Sequence, residues 1–254
     1  MSSISRSDLV RHLDALLAAQ VGRDYCPNGL QIEGKGTITK IVTGVSACLE
    51  LHEEAARRGA DAVLVHHGLF WHGQSPLLVG LQFRRVAALL DHRINLLAYH
   101  LPLDRHLGLG NNAVAARALG LTEITPWGEY EAQSVGVRGR FPEPLPATEF
   151  VDRCRQFYLR EPLVVGSGPQ LIERVGLISG AAQRDLHRAI ADGCDAFLTG
   201  EISEWVTNVA KEAGIHYLAC GHYATERCGI QALGEHLAAT FGITVEFVEV
   251  GNVV

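Results

Sequence analysis

The sequence lacks several features that would place it quickly. No two of its six cysteines, Cys26, Cys48, Cys154, Cys194, Cys220 and Cys228, form a Cys-x-x-Cys pair. The start, Met1-Ser2-Ser3-Ile4-Ser5-Arg6, lacks the apolar core of a signal peptide. The thiols therefore read as reduced, and the protein as cytoplasmic. No apolar run approaches the roughly 20 residues that span a bilayer, so no membrane partner is expected. There is no basic excess: the formal net charge is −6 and the isoelectric point is near 6.0. That balance weighs against nucleic acid as a partner. The glycine-rich stretch Gly108-Leu109-Gly110-Asn111-Asn112 could present a helix N-terminus to a phosphate, but it lacks the Lys-Ser/Thr of a P-loop.

What is present is a chain of 254 residues, 47% hydrophobic, with ample core for one large domain or two small ones. Ser5 or Ser7 can cap a first helix bearing Leu9, Val10, Leu13, Leu16 and Leu17. Beyond it, β-branched runs alternate with amphipathic stretches. Strands are expected at Ile38–Val45, Ala62–Val65, Ile94–Ala98, Val175–Ile178, Ala196–Leu198, His216–Ala219 and Thr244–Val248. Helices are expected between them, one capped by Asn111 or Asn112. This rhythm implies an α/β fold with mainly parallel sheets flanked by helices.

Two stretches rhyme. Gly59-Ala60-Asp61-Ala62-Val63-Leu64 follows a strand and a helix; so does Gly193-Cys194-Asp195-Ala196-Phe197-Leu198. We read an internal duplication: a first lobe over 1–121, a connecting segment over 122–170 that carries an edge or hairpin strand at Ser134–Phe141, a helix from about Ala147 to Tyr158 and a strand near Leu163–Val165, and a second lobe over 171–254. A site is expected in the cleft between the lobes.

Polar groups then appear where strands end: His66 and His67; His100 and Asp104; Gly200 and Glu201; His222 and Glu226. In open α/β sheets, ligands bind outside the carboxyl ends of strands. His222 and Glu226 are four apart and share a face if a helix starts just before them. Adjacent strand residues point oppositely, so His66 and His67 reach one site only if the strand breaks, which Gly68 permits. Each feature has a plain alternative. His222 with Glu226 also describes a helix-surface pair, Asp104 a turn residue, and Phe70 and Trp71 ordinary packing. His72 and His106 are candidates for the site rim. His12, His52, His92, His187 and His236 fall on or beside helices and receive no role.

Taken together, His66, His67, Asp104, His222 and Glu226 make three imidazoles and two carboxylates, with no thiolate. This suits two divalent ions, zinc, iron or manganese, roughly 3.5–4 Å apart with open positions. Such a pair lowers the pKa of water and polarises substrate, and metal-assisted hydrolysis is the natural reaction. His100 and Glu201 are candidates for orienting a ligand or carrying a proton.

These blocks are familiar as a set. Pro27-Asn28-Gly29-Leu30-Gln31, Asp61 to Gly68, His100-Leu101-Pro102-Leu103-Asp104, Gly110-Asn111-Asn112, Thr199-Gly200-Glu201 and Gly221 to Arg227 resemble, in order, the Nif-three-like dinuclear metal-centre family. Many bacterial members are labelled GTP cyclohydrolase I type 2 homologues. The resemblance implies metal ligands at His66, His67, Asp104, His222 and Glu226, two α/β lobes and a ring-shaped homohexamer. The short 122–170 segment matches the compact bacterial form. The activity implied is hydrolysis of a nucleotide-like small molecule, including GTP cyclohydrolase-type ring opening. The alternative is a non-catalytic metal-binding scaffold or adaptor.

Overall fold

The structure is a computed structural model and describes residues 2–254. It is a mixed α/β fold that divides into two compact units, each with its own sheet. One unit comprises the residues up to Leu103 together with Ile230–Gly251; the other comprises Asp104–Gly229 with Asn252–Val254.

The first unit holds a five-stranded sheet in the order Thr244–Phe247, Lys40–Ser46, Ala62–His67, Asn95–Ala98, Gly29–Ile32. The first three junctions are parallel and the last is antiparallel. Its central strands are buried on both faces, as continuous apolar runs require. Helix Arg6–Leu16 begins where Ser5 accepts a hydrogen bond from the Asp8 amide at 3.0 Å, one of the two caps expected. Helix Leu49–Arg57 packs Leu51 and Ala55 against Val42, Val63 and Val65.

The second unit holds a six-stranded sheet in the order Thr122–Trp127, Gly136–Pro146, Leu171–Leu177, Ala196–Thr199, His216–Ala219, Leu163–Gly166. Only its three central strands run parallel; the three outer junctions are antiparallel. Mainly parallel therefore describes the first sheet and not the second. Phe141, Phe150, Cys154 and Tyr158 pack with Leu198 and Leu218 to form its core.

The expected boundaries of 1–121, 122–170 and 171–254 are replaced by this division. Segment 122–170 is not a connection. It supplies three strands of the second sheet and the helix Ala147–Tyr158. Residues from Asp104 onward belong with that sheet. The C-terminal strand Thr244–Phe247 pairs instead with Lys40–Ser46 and covers an edge of the first sheet. An exposed strand edge is a row of unpaired backbone groups, and covering it decides membership more strongly than order along the chain.

The two sheets do share a pattern. In each, one antiparallel edge strand precedes three parallel strands in sequence. The aspartates of the matching stretches act alike. Asp61 Oδ2 accepts from the amides of Thr39 at 2.8 Å and Lys40 at 3.1 Å. Asp195 Oδ2 accepts from the amides of Glu173 and Arg174, both at 2.8 Å. In both places a carboxylate just before one strand fixes the backbone of its neighbour.

Candidate metal centre

In the first unit the parallel strands end together in polar side chains. Strand Ala62–His67 ends on the two histidines, Lys40–Ser46 ends on Ser46, and Asn95–Ala98 leads to His100. The rings of His66 and His67 are 4.6 Å apart between centroids, so the alternation of a regular strand is broken there. His100 lies 5.0 Å from His66 and 5.5 Å from His67. One ligand nitrogen from each of the three lies within 4.8 Å of the others.

Gly68 is needed for a different reason from the one expected. It is not in the left-handed region; a Cβ there would meet the Gln31 amide at 2.3 Å. Gln31 in turn accepts from the Leu69 amide at 2.9 Å and donates to the Pro27 carbonyl at 2.8 Å. The glycine lets this clamp close against the histidine loop.

Each imidazole of this cluster has its Nδ1 engaged by oxygen. His66 Nδ1 lies 3.1 Å from the Tyr99 carbonyl, His67 Nδ1 3.0 Å from Ser46 Oγ, and His100 Nδ1 2.6 Å from Asp24 Oδ1. A carbonyl or carboxylate there requires the proton on Nδ1, which leaves the Nε2 lone pair for a cation. Asp24 is itself anchored: Oδ2 accepts from Asn28 Nδ2 at 2.8 Å and from the Leu101 amide at 3.0 Å. Burial raises its pKa, but the hydrogen bond and charge of His100, together with the hydrogen bonds from Asn28 and the Tyr25 amide, outweigh burial and hold it below the usual carboxylate range. Cys26, nearby, is pushed up to about 12 by burial and then by Asp24, so it remains a thiol. Trp71 and Tyr25 flank the cluster, 5.2 Å and 6.0 Å from His100 between ring centroids.

The second unit gathers its own set, also at strand ends. Ser179 and Gly180 follow Leu171–Leu177, Glu201 follows Ala196–Thr199, and His222 follows His216–Ala219. His222 opens the short helix His222–Thr225, and Glu226 ends it, so the pair shares a face as its spacing requires. His222 Nδ1 lies 2.6 Å from Glu201 Oε1, and its Nε2 lies 3.3 Å from Glu226 Oε1. Burial alone lowers the pKa of His222. The hydrogen bond and charge of Glu226, then those of Glu201, raise it to about 9. An imidazole between two carboxylates is a setting built for positive charge. Glu201 is held in turn by the Tyr217 hydroxyl, which donates to its backbone carbonyl.

Asp104 is buried. Its Oδ1 accepts from Asn111 Nδ2 at 2.9 Å and from Ser179 Oγ at 3.0 Å. The two asparagines do not cap the helix Asn111–Ala118, as expected; Gly110 occupies the cap position. Their side chains turn inward. Asn111 Oδ1 accepts from the Gly229 amide at 2.8 Å, and Asn112 Oδ1 accepts from the Ser179 amide at 2.7 Å. They brace Asp104, which is a better account of Gly110-Asn111-Asn112 than a phosphate loop. Of the rim candidates, His106 accepts from the amides of Gly108 and Leu109 and shapes its own loop, and the backbone of His72 is tied to that of Tyr25.

The bracing residues Asp24, Ser46, Asn111, Asn112 and Ser179 escape a reading of the sequence as a site. Only the Pro27-Asn28-Gly29 turn beside Asp24 and the Asn111-Asn112 pair carry a signal; the first reads as a turn and the second as a helix cap or a phosphate loop.

The chain is similar to known proteins over nearly its whole length. A protein of Pseudomonas aeruginosa named GTP cyclohydrolase 1 type 2 homolog is 45% identical, over 98% of this chain and 99% of its own. A relative of the same name from Haemophilus influenzae is 43% identical, over 96% of this chain and 98% of its own. Among solved structures, the protein ybgI, described as of unknown function, superposes with a TM-score of 0.92 at 43% identity, covering 99% of this chain and all of that one (100%). The protein TTHA1606 from Thermus thermophilus gives 0.91 at 40% identity with the same coverage. Residues 4–252 match the family described as Duf34/NIF3 (NGG1p interacting factor 3), and the chain belongs to that family.

Proposed function

We propose that the protein is a dinuclear metal-dependent hydrolase of a nucleotide-like small molecule, its ions held by His66, His67, Asp104, His222 and Glu226. The observation that carries this reading is the engagement of the imidazoles: an acceptor oxygen takes Nδ1 of His66 and of His222, which leaves Nε2 of each for a cation, and Ser46 Oγ engages Nδ1 of His67 beside them. The donor set, imidazole and carboxylate without thiolate, suits zinc, iron or manganese. Bound ions of this kind polarise a substrate oxygen and lower the pKa of water.

The chain's own residues have separable tasks. Glu201 orients His222, and Asn111 with Ser179 orients Asp104. His100 and Glu201 are the groups available to hold or move a proton beside the reacting centre. The relatives' name suggests GTP as the first substrate to try. Metal-loaded protein incubated with a panel of nucleotides, products identified by mass, tests the activity. Metal-dependent turnover supports the hydrolase; none across the panel favours the scaffold or adaptor reading.

Metal analysis of His66→Ala and Glu226→Ala, beside circular dichroism, tests the ligands: both should hold less metal than the parent and keep the fold. Full metal content in either overturns the assignment.

Self-association belongs to the same reading. Leu77, Leu78, Val79, Leu81 and Phe83 are each 47–68% exposed on one short stretch, an apolar surface of the kind that another protein covers. The occupant we assign is a second copy, within a homohexamer. Light scattering on Leu81→Asp/Phe83→Asp should show a smaller assembly than the parent; an unchanged mass overturns the assignment. Among the described residues no helix is long and apolar enough to cross a membrane, and all six cysteines are free thiols, consistent with the reducing cytoplasm.

A further inference from the structure

We propose that His66, His67 and His100 form a three-imidazole cation site contained within the first unit, with Asp24 as the carboxylate that positions His100. The inference rests on the proposed function only in taking His66 and His67 as ligands; it adds His100 as a third and makes the first unit sufficient for one ion.

Three observations converge on it. One nitrogen of each of the three rings falls within 4.8 Å of the other two, with no carboxylate needed to complete the group. His100 carries its own carboxylate, Asp24 Oδ1, at 2.6 Å on Nδ1. A carboxylate on the far nitrogen is the usual companion of a metal-bound histidine: it fixes the tautomer and makes Nε2 a better donor. Finally, the carboxylate is built in. Asn28 donates to Asp24 Oδ2 through its side-chain amide and accepts from the His100 amide at 2.7 Å through its oxygen. The turn Pro27-Asn28-Gly29 thus locks the backbone of His100 as well as its ring. Three histidines with an open fourth position form a recurrent site for zinc and its substitutes.

The probe is cobalt(II), which replaces zinc and reports its coordination in the visible spectrum. The parent protein should bind two equivalents. The full-length double variant His222→Ala/Glu226→Ala should retain one, with X-ray absorption showing three nitrogen neighbours from imidazole. Adding His100→Ala or His100→Gln to that variant should abolish it, with unchanged circular dichroism. Asp24→Asn in the double variant should weaken the remaining ion by about 10–100-fold, and Asp24→Glu should recover part of the loss. Loss of all cobalt from the double variant, or retention after His100 is replaced, overturns the three-imidazole site. The failures are distinguishable. Two equivalents in the parent and none in the double variant remove this proposal and leave the dinuclear reading. One equivalent in both, lost with His100, removes the dinuclear reading and leaves this site.

Discussion

Substituting Gly180 with alanine separates backbone strain from damage to the site. Gly180 sits at φ +68°. Its Cβ would stand 2.5 Å from Glu226 Oε1 and 3.2 Å from His222 Nε2. The loop cannot retreat, because Gly180 is tied on both sides: its amide donates to Thr225 Oγ1 at 3.0 Å, and its carbonyl accepts from the Gly200 amide at 2.8 Å. Glu226 is 2% exposed, so its carboxyl has little room to move. Gly214 supplies the control. It has φ +67°, and its nearest contact for a Cβ is the Ser167 carbonyl at 4.0 Å.

Left-handed backbone costs an L residue about 1–2 kcal/mol, offset by about 0.4–1 kcal/mol through the less flexible unfolded chain. Gly214→Ala should therefore lose about 1 kcal/mol, or roughly 2–4 °C in Tm for a chain of this size. Gly180→Ala carries the same backbone strain and a collision besides, so its loss should be larger. The difference that matters is in metal. Gly180→Ala should weaken cobalt binding at least tenfold, while Gly214→Ala should bind like the parent. Titrations at one temperature well below either Tm, with both variants checked by circular dichroism, decide it. Superimposable curves for the two variants would falsify the claim that Glu226 and His222 are packed against Gly180 to hold a cation.

Other perturbations follow from the same contacts. His52 is wholly buried, and burial, opposed by its hydrogen bond to the Arg85 carbonyl, lowers its pKa to about 4 from 6.5. Its contribution is therefore complete above pH 6.5 and lost as the pH falls toward 4, amounting to about 2 kcal/mol between about pH 7 and pH 5; urea unfolding at both values should show a shallower acid loss in His52→Leu, and an identical loss in the two proteins would rule the residue out. Asp61 accepts from two backbone amides, the Thr39 hydroxyl and Lys35 Nζ, whereas Asp195 accepts from two amides. Asp61→Ala should cost on the order of 3 kcal/mol and exceed Asp195→Ala, an order that thermal unfolding checks directly. Asn111→Ala strips a donor from Asp104 and leaves the buried Gly229 amide without its acceptor; it should lower stability by about 1–3 kcal/mol and weaken metal binding, whereas a stable variant with intact binding would show that Asp104 needs no such brace.

How much of this is legible in the sequence depends on where the determining contact lies along the chain. His66-His67 and His222 to Glu226 can be read because a strand terminus and a helical turn relate residues at most four apart. The strands at Ile38–Val45, Ala62–Val65 and Ile94–Ala98 can be read because burial on both faces demands unbroken apolar runs. Segment 122–170 misleads because its antiparallel outer strands are partly exposed and rich in Gly and Pro, the composition of a connection. Strand Thr244–Phe247 misleads because nothing local states that its partner is Lys40–Ser46, at the other end of the chain.

The bracing of the site follows the same logic and explains why candidate ligands outnumber recognisable supports. Asp24 meets His100 across 76 residues, and Ser179 meets Asp104 across 75. Each support has an ordinary local disguise: Asp24 precedes a turn, Asn111 begins a helix, Ser179 follows a strand. A ligand must be one of a few residue types, so it betrays itself by chemistry alone. A support need only place one oxygen or amide within hydrogen-bond range, which many residue types can do, and only the fold selects the one that does. That asymmetry is what makes the supports the more stringent test. Replacing a ligand removes a donor whatever its surroundings, but replacing Asp24 or Ser179 changes metal binding only if these long-range hydrogen bonds are what hold His100 and Asp104 toward a cation.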